Sequence, residues 1–254
     1  MLNMARTWLS GLMLRWTPIL TYTRRRQALL DWVEKNTRPI GFFDDDAEGT
    51  VGFAFGPDMR MLVSRAGVLI SSGASGESLA HVLDEPLNGV LEVLEPRNLS
   101  LDAIAGMTSQ PLAVRDYATA TRRFAQRAAG NIRRLNWDPT DAAILMDVED
   151  ARFRIQLEYG IVTRSELLER LQSPSLGRLA SFLEAPHPDQ VATAVIQEAE
   201  ISVFLDGALR PKERMHFTTT TELWSNYESA RSELEEFAQS LSVMLSESSE
   251  GETP

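Results

Sequence analysis

The sequence predicts an α+β fold: antiparallel sheets, built from a short meander and hairpins, packed against helices. Three observations predict it. Strand-like runs lie in adjacent groups joined by turn chemistry at Gly56-Pro57-Asp58, Arg65-Ala66-Gly67 and Glu149-Asp150. One run alternates cleanly, with Phe153, Ile155, Leu157 and Tyr159 on one face and Arg152, Arg154, Gln156 and Glu158 on the other. That alternation marks a sheet with one wet face. Between the strand groups lie segments with helical spacing. Strands in adjacent groups argue against a doubly wound parallel sheet.

The elements follow in order. Leu2, Ala5, Leu9, Leu12 and Trp16 share one face of a helix expected over 2–16 and ended by Pro18. A second helix, about 22–36, carries Leu29, Leu30, Trp32 and Val33 beside the Arg24–Arg26 run. Pro39-Ile40-Gly41 closes it, and Asp44–Gly49 reads as a loop. Val51–Phe55, Met59–Ser64 and Val68–Ser71 form a three-stranded meander. A Gly/Ser loop leads into a helix with Leu79, Val82, Leu83, Leu87, Val90, Leu91 and Leu94, which Pro86 should kink or split. Leu99–Met107 suits a strand, and 112–130 a helix with Tyr117, Ala120, Phe124 and Ala128 inward.

Ala142–Val148 and Ala151–Tyr159 then make a hairpin. Thr163-x-x-Glu166 is a capping box opening a helix over Ser165–Leu171. A helix at about 189–199 and strands at Glu200–Leu205 and Arg214–Thr219 precede the last helix, 222–246. In that helix Leu223, Tyr227, Ala230, Leu234, Phe237, Leu241 and Met244 recur at steps of four and three. As a coiled coil its e positions would be Trp224, Arg231, Ala238 and Leu245, with Asn226, Glu233 and Ser240 at g. A zipper wants charges there. The apolar e positions widen the seam into the stripe of a helix lying on its own core.

These elements divide into a basic helical arm (1–38), an α+β body (39–246) and an acidic tail (247–254) expected to be disordered. A strand-then-helix order occurs twice in the body, over about 50–130 and about 140–246, which suggests two related halves. No residue-level repeat accompanies it.

The 254 residues are 43% hydrophobic and 24% charged, enough apolar material for a sizeable core. Cysteine is absent, which excludes disulfides, thiol catalysis and Cys-ligated zinc or iron–sulfur centres. The net charge of −11 argues against nucleic-acid binding by the body of the protein. Charge is divided between the ends: residues 1–30 hold five arginines and no acid, and 221–254 hold eight glutamates against Arg231 alone. No window approaches the ~18 apolar residues of a membrane span, and no cleavable leader is expected. A cytoplasmic protein is expected.

No catalytic residue, metal site or cofactor motif stands out. His81, His187 and His216 lack metal-ligand spacing, and the acids at Asp44–Asp46 and Asp147–Asp150 suit turns. The expected function is therefore a non-catalytic protein-interaction or adaptor subunit of a larger assembly, with a protein partner or a second copy. Trp8, Leu12, Trp16, Arg24, Arg25 and Arg26 are its expected interface. Two alternatives stay open. One is an enzyme or a small-ligand or phosphate-binding protein at the Ser71–Glu77 loop, with Gly73, Ser75 and Gly76 holding the phosphate. That loop lacks the lysine of a P-loop. The other is a peripheral membrane protein docking through its basic, Trp-containing arm.

Overall fold

The computed structural model describes residues 5–45, 49–56, 58–73, 78–114, 116–128, 141–172, 188–196 and 199–246. Its element order is β1 (Arg6–Arg15), α1 (Tyr22–Asn36), β2 (Gly41–Asp45), β3 (Thr50–Ala54), β4 (Met59–Ser64), β5 (Gly67–Ser72), α2 (Leu79–Leu94), β6 (Ser100–Pro111), α3 (Tyr117–Ala128), β7 (Ala143–Glu149), β8 (Phe153–Thr163), α4 (Arg164–Gln172), α5 (Pro188–Ile196), β9 (Ile201–Pro211), β10 (Met215–His216) and α6 (Thr220–Ser246). The strands form one ten-stranded antiparallel sheet in the order β2-β3-β4-β5-β1-β6-β9-β8-β7, with β10 beside β6. The α+β prediction holds.

The expected helix over 2–16 is corrected: residues 6–15 are the strand β1, fifth in the sheet and paired with β5 and β6. Trp8, Leu9, Ser10, Gly11 and Leu12 are all buried. A strand covered on both faces loses its period of two and reads as a continuous apolar run. A register shift between Thr7 and Leu9 turns Trp8 and Leu9 into one core cluster, while Leu12 and Leu14 enter another. The segment is integral to the sheet.

The meander gains a fourth strand. Asp44 and Asp45, expected in a loop, end β2 and pair with Val51 and Thr50. Pro86 neither ends nor splits α2, which buries Leu83, Leu87, Val90 and Leu94 on the sheet. A proline inside a helix costs about 3 kcal/mol, and four such burials at about 1.5–3 kcal/mol each outweigh it. The helix expected over 112–130 starts at Tyr117, where Asp116 accepts a hydrogen bond from the Thr119 N–H at 2.8 Å. Strand β9 runs to Pro211 instead of stopping at Leu205, because both of its edges are paired. The capping box forms as expected: the Thr163 N–H donates to the Glu166 carboxylate at 2.7 Å, and the Glu166 N–H donates to Thr163 Oγ1 at 3.3 Å.

Helices α1, α2, α3 and α6 cover one face of the sheet. Helices α4 and α5 cover the other face, behind β1, β6, β8 and β9. Helix α6 buries Leu223, Tyr227, Ala230, Leu234, Ala238, Leu241 and Leu245. It therefore packs within its own chain, as its wide stripe predicts. Leu234 seats over the facing pair Gly106 and Gly207, where a Cβ on Gly207 would fall 2.6 Å from its Cδ2. Tyr159 packs edge-on between Phe124 of α3 and Phe237 of α6 at 5.8 and 5.5 Å. Met244, expected inward, is 38% exposed. Among the described residues no helix is long and apolar enough to cross a membrane. The acidic tail lies outside the described residues.

Candidate functional site

The expected interface residues are mostly structural. Trp8, Leu12 and Trp16 are buried. The indole N–H of Trp8 donates to Ser109 Oγ at 2.8 Å, and that of Trp16 donates to the Arg65 carbonyl at 3.0 Å. Arg25 donates to the Leu94 carbonyl at 2.6 Å and pairs with Glu95 at 2.9 Å. A cation thereby caps the C-terminus of α2, the negative end of its dipole. Arg26 pairs with Asp44. Arg24 alone of the run is exposed. Opposite charge at the chain ends does not draw these arginines to α6. Between β1 and α6 the Thr7 hydroxyl donates to Glu235 at 2.6 Å.

The Ser71–Glu77 loop, the alternative phosphate site, is only partly described, and Ser75 and Gly76 lie outside the described residues. The Gly73 N–H is committed to the Asp58 carbonyl at 2.9 Å. At the start of α2 the Ser78 hydroxyl donates to the Glu228 carboxylate at 3.2 Å. That carboxylate adds negative charge beside the start of α2, which disfavours a bound anion there.

Several other polar groups have partners. Asp150 accepts from the N–H groups of Phe153 and Arg152, and these bonds hold its carboxyl below the usual carboxylate range. Lys212 does the same for Glu149, at 2.8 Å. His216 Nδ1 lies 2.9 Å from the Leu99 carbonyl oxygen, and His187 lies outside the described residues. Among the described residues no three His, Asp or Glu side chains gather as a metal site. Sequence reading missed the buried Asp206, which stands opposite Glu158 in the β8/β9 register. Arg170 donates to Glu158 at 3.0 Å and stacks on Phe204 at 4.1 Å, which makes this cluster a brace between α4 and the sheet. A polar cleft of about 430 Å³ at the ends of β1 and β6 holds Arg15, Asp102, Lys212 and Arg214. Arg15 is tied to Asp102 at 3.1 Å and Lys212 to Glu149.

One surface differs from all of these: the groove between α1 and the edge strand β2. Helix α1 ends where the Thr37 N–H and hydroxyl both donate to the Val33 carbonyl, at 2.9 and 2.8 Å. Arg38 precedes Pro39, which favours extended backbone, and the chain reverses. The Ile40 N–H joins the Ala54 carbonyl at 2.8 Å, and β2 returns alongside α1 as far as the Arg26–Asp44 pair. Between the two elements lies a groove of about 690 Å³ lined by Leu30, Asp31, Glu34, Arg38, Ile40 and Phe42. Phe42 stands opposite Phe53 in the register, yet it is 60% exposed where Phe53 is 3% exposed. Ile40 is 71% exposed. Phe43 points to the other face, where its ring lies over Gly52.

Among the described residues the outer edge of β2 is open, since β2 is terminal in the sheet. Terminal strands are usually blunted by charge. The other terminal strand, β7, is blunted so: Leu145 is exposed there, but Asp147 and Glu149 flank it and Glu149 is paired with Arg154 and Lys212. On β2, Asp44 is drawn inward by Arg26, and the stretch Ile40–Phe43 itself carries no charged side chain. The sequence signal was the pair Phe42-Phe43, passed over because Pro39 and Gly41 read as a turn.

No known protein family matches the chain, and no curated protein matches it.

Proposed function

We propose that the protein is a non-catalytic interaction or adaptor subunit of a larger assembly, and that it binds a partner by adding the partner's extended segment to β2. The observation that carries this reading is the open edge of β2 beside an apolar groove. Strand addition uses both: main-chain hydrogen bonds along the edge supply affinity, and pockets for alternate side chains supply specificity. Exposed apolar side chains on a terminal strand are an aggregation hazard unless a partner covers them. Covering a fully exposed Ile or Phe is worth about 1.5–3 kcal/mol, so Ile40 at 71% and Phe42 at 60% exposure would together supply about 2–4 kcal/mol to such a contact.

The test is affinity capture by the full chain and two edge variants. Phe42→Lys should lose the partners that the unaltered chain retains, while Leu145→Lys at the opposite edge should keep them. Both positions are exposed, so both variants should unfold at an unchanged temperature. Equal retention by Phe42→Lys, or loss only with Leu145→Lys, would remove the support for this site.

A further inference from the structure

The groove carries a charge pattern along its length. Asp31 and Glu34 lie one turn apart on the wall that α1 presents to it, and Arg38 lies at its far end. All three are exposed. Asp31 accepts a hydrogen bond from the neutral Gln27 amide at 2.8 Å. Among the described residues none of the three forms an ion pair, whereas Arg25, Arg26, Arg15 and Lys212 are all paired. Two uncompensated carboxylates thus flank the apolar floor of Leu30, Ile40 and Phe42. The chain as a whole adds a net charge of −11.

We propose that the occupant of this groove is a cationic extended segment: a strand with an apolar side chain on the groove floor and lysine or arginine two residues to either side of it. This rests on the strand-addition reading above. The two cations, four residues apart on one face of a strand, start about 13–14 Å apart, and Asp31 and Glu34, three residues apart on a helix, are spaced by about 5–6 Å, so each stem leans inward by about 4 Å. Flexible lysine or arginine stems span that difference. Opposite potentials across the contact also speed the encounter and reject acidic partners. The same field disfavours the chain's own acidic end, with Glu247, Glu250 and Glu252, as occupant.

The probe is an acetylated, amidated heptapeptide, Thr-Lys-Thr-Leu-Thr-Lys-Thr, titrated into the full chain and followed by amide NMR shifts. Two matched peptides replace both lysines by glutamine or by glutamate. The lysine peptide should shift the amides of β2 and the adjoining side of α1, and should bind on the order of tenfold tighter than the glutamine peptide at low salt. That margin should shrink near 1 M salt, where the screening length is about 3 Å. The double variant Asp31→Asn/Glu34→Gln should lose the margin and keep the glutamine peptide's affinity. Equal binding of the lysine and glutamine peptides to the unaltered chain would overturn the charge inference and leave strand addition standing. If no peptide shifts β2, both fall. A concentration-dependent dimer abolished by Phe42→Lys would assign the edge to a second copy and overturn the inference.

Discussion

Replacing Gly89 by alanine tests how α1, the wall of the groove, is held against the rest of the molecule. In an open helix the change would stabilise by about 1 kcal/mol, because glycine is the poorer helix former. Position 89 is not open. A Cβ there would fall 2.1 Å from both Cη2 and Cζ3 of Trp32 on α1, against about 3.5–4.0 Å for carbons in contact. The indole would have to move by more than an ångström, and overpacking of this kind costs about 1–3 kcal/mol. The net expectation is a destabilisation of about 0–2 kcal/mol. In a Trp32→Ala background the obstacle is gone, and Gly89→Ala should stabilise by about 1 kcal/mol. The two changes should therefore couple by about 1–3 kcal/mol, measured by urea unfolding of the four chains followed by circular dichroism. A stabilisation of about 1 kcal/mol in both backgrounds would show that α1 and α2 do not meet at this point.

Two further outcomes follow from single groups. Ser109→Ala should cost about 1–3 kcal/mol in the same urea measurement, because the indole N–H of the fully buried Trp8 loses its acceptor. A change under about 0.5 kcal/mol would show that the indole has another partner. The Tyr22 hydroxyl donates to the Val63 carbonyl at 2.9 Å, and burial pushes its pKa up to about 12, with the Arg26 charge opposing. The folded value lies above the unfolded value of about 10, so the unfolded chain releases its proton first. This contribution is fully present below pH 10 and is lost as the pH rises from about 10 to about 12. Urea midpoints should fall across that window, and Tyr22→Phe should flatten part of the fall. Burial raises Tyr227 as well, so the single variant should leave a residual decline. An unchanged slope in Tyr22→Phe would refute the assignment.

Local signals located most of the elements. Turn chemistry placed β3, β4 and β5 nearly residue for residue, since Gly56-Pro57-Asp58 and Arg65-Ala66-Gly67 are read within four residues. The Thr163–Glu166 box placed the start of α4 for the same reason. The site was barely legible. Phe42 and Phe43 stood out only as an aromatic pair, and nothing local says that β2 is a terminal strand. That depends on the order of all ten strands.

The sequence by itself determined the α+β class, the antiparallel pairing and a closing helix that lies on its own core. What it misjudged was set by distant neighbours. Trp8–Leu14 is a short apolar run that fits helix or strand alike, and β5 and β6, more than fifty residues away in sequence, made it a strand by pairing with both of its edges. In α6 a strict heptad seam would keep Met244 inside. A straight helix advances about 100° per residue, so from Leu223 to Met244 the seam drifts by about 60°, while Leu245 ends about 40° to the other side. Helix α6 lies on a sheet instead of coiling around a partner helix, and the burial follows that drift: Leu245 is buried and Met244 turns outward. Tertiary structure decided the groove in the same way. It took Trp8, Leu12 and Trp16 into the core, tied Arg25 and Arg26 to acids, and left Ile40 and Phe42 at an open edge.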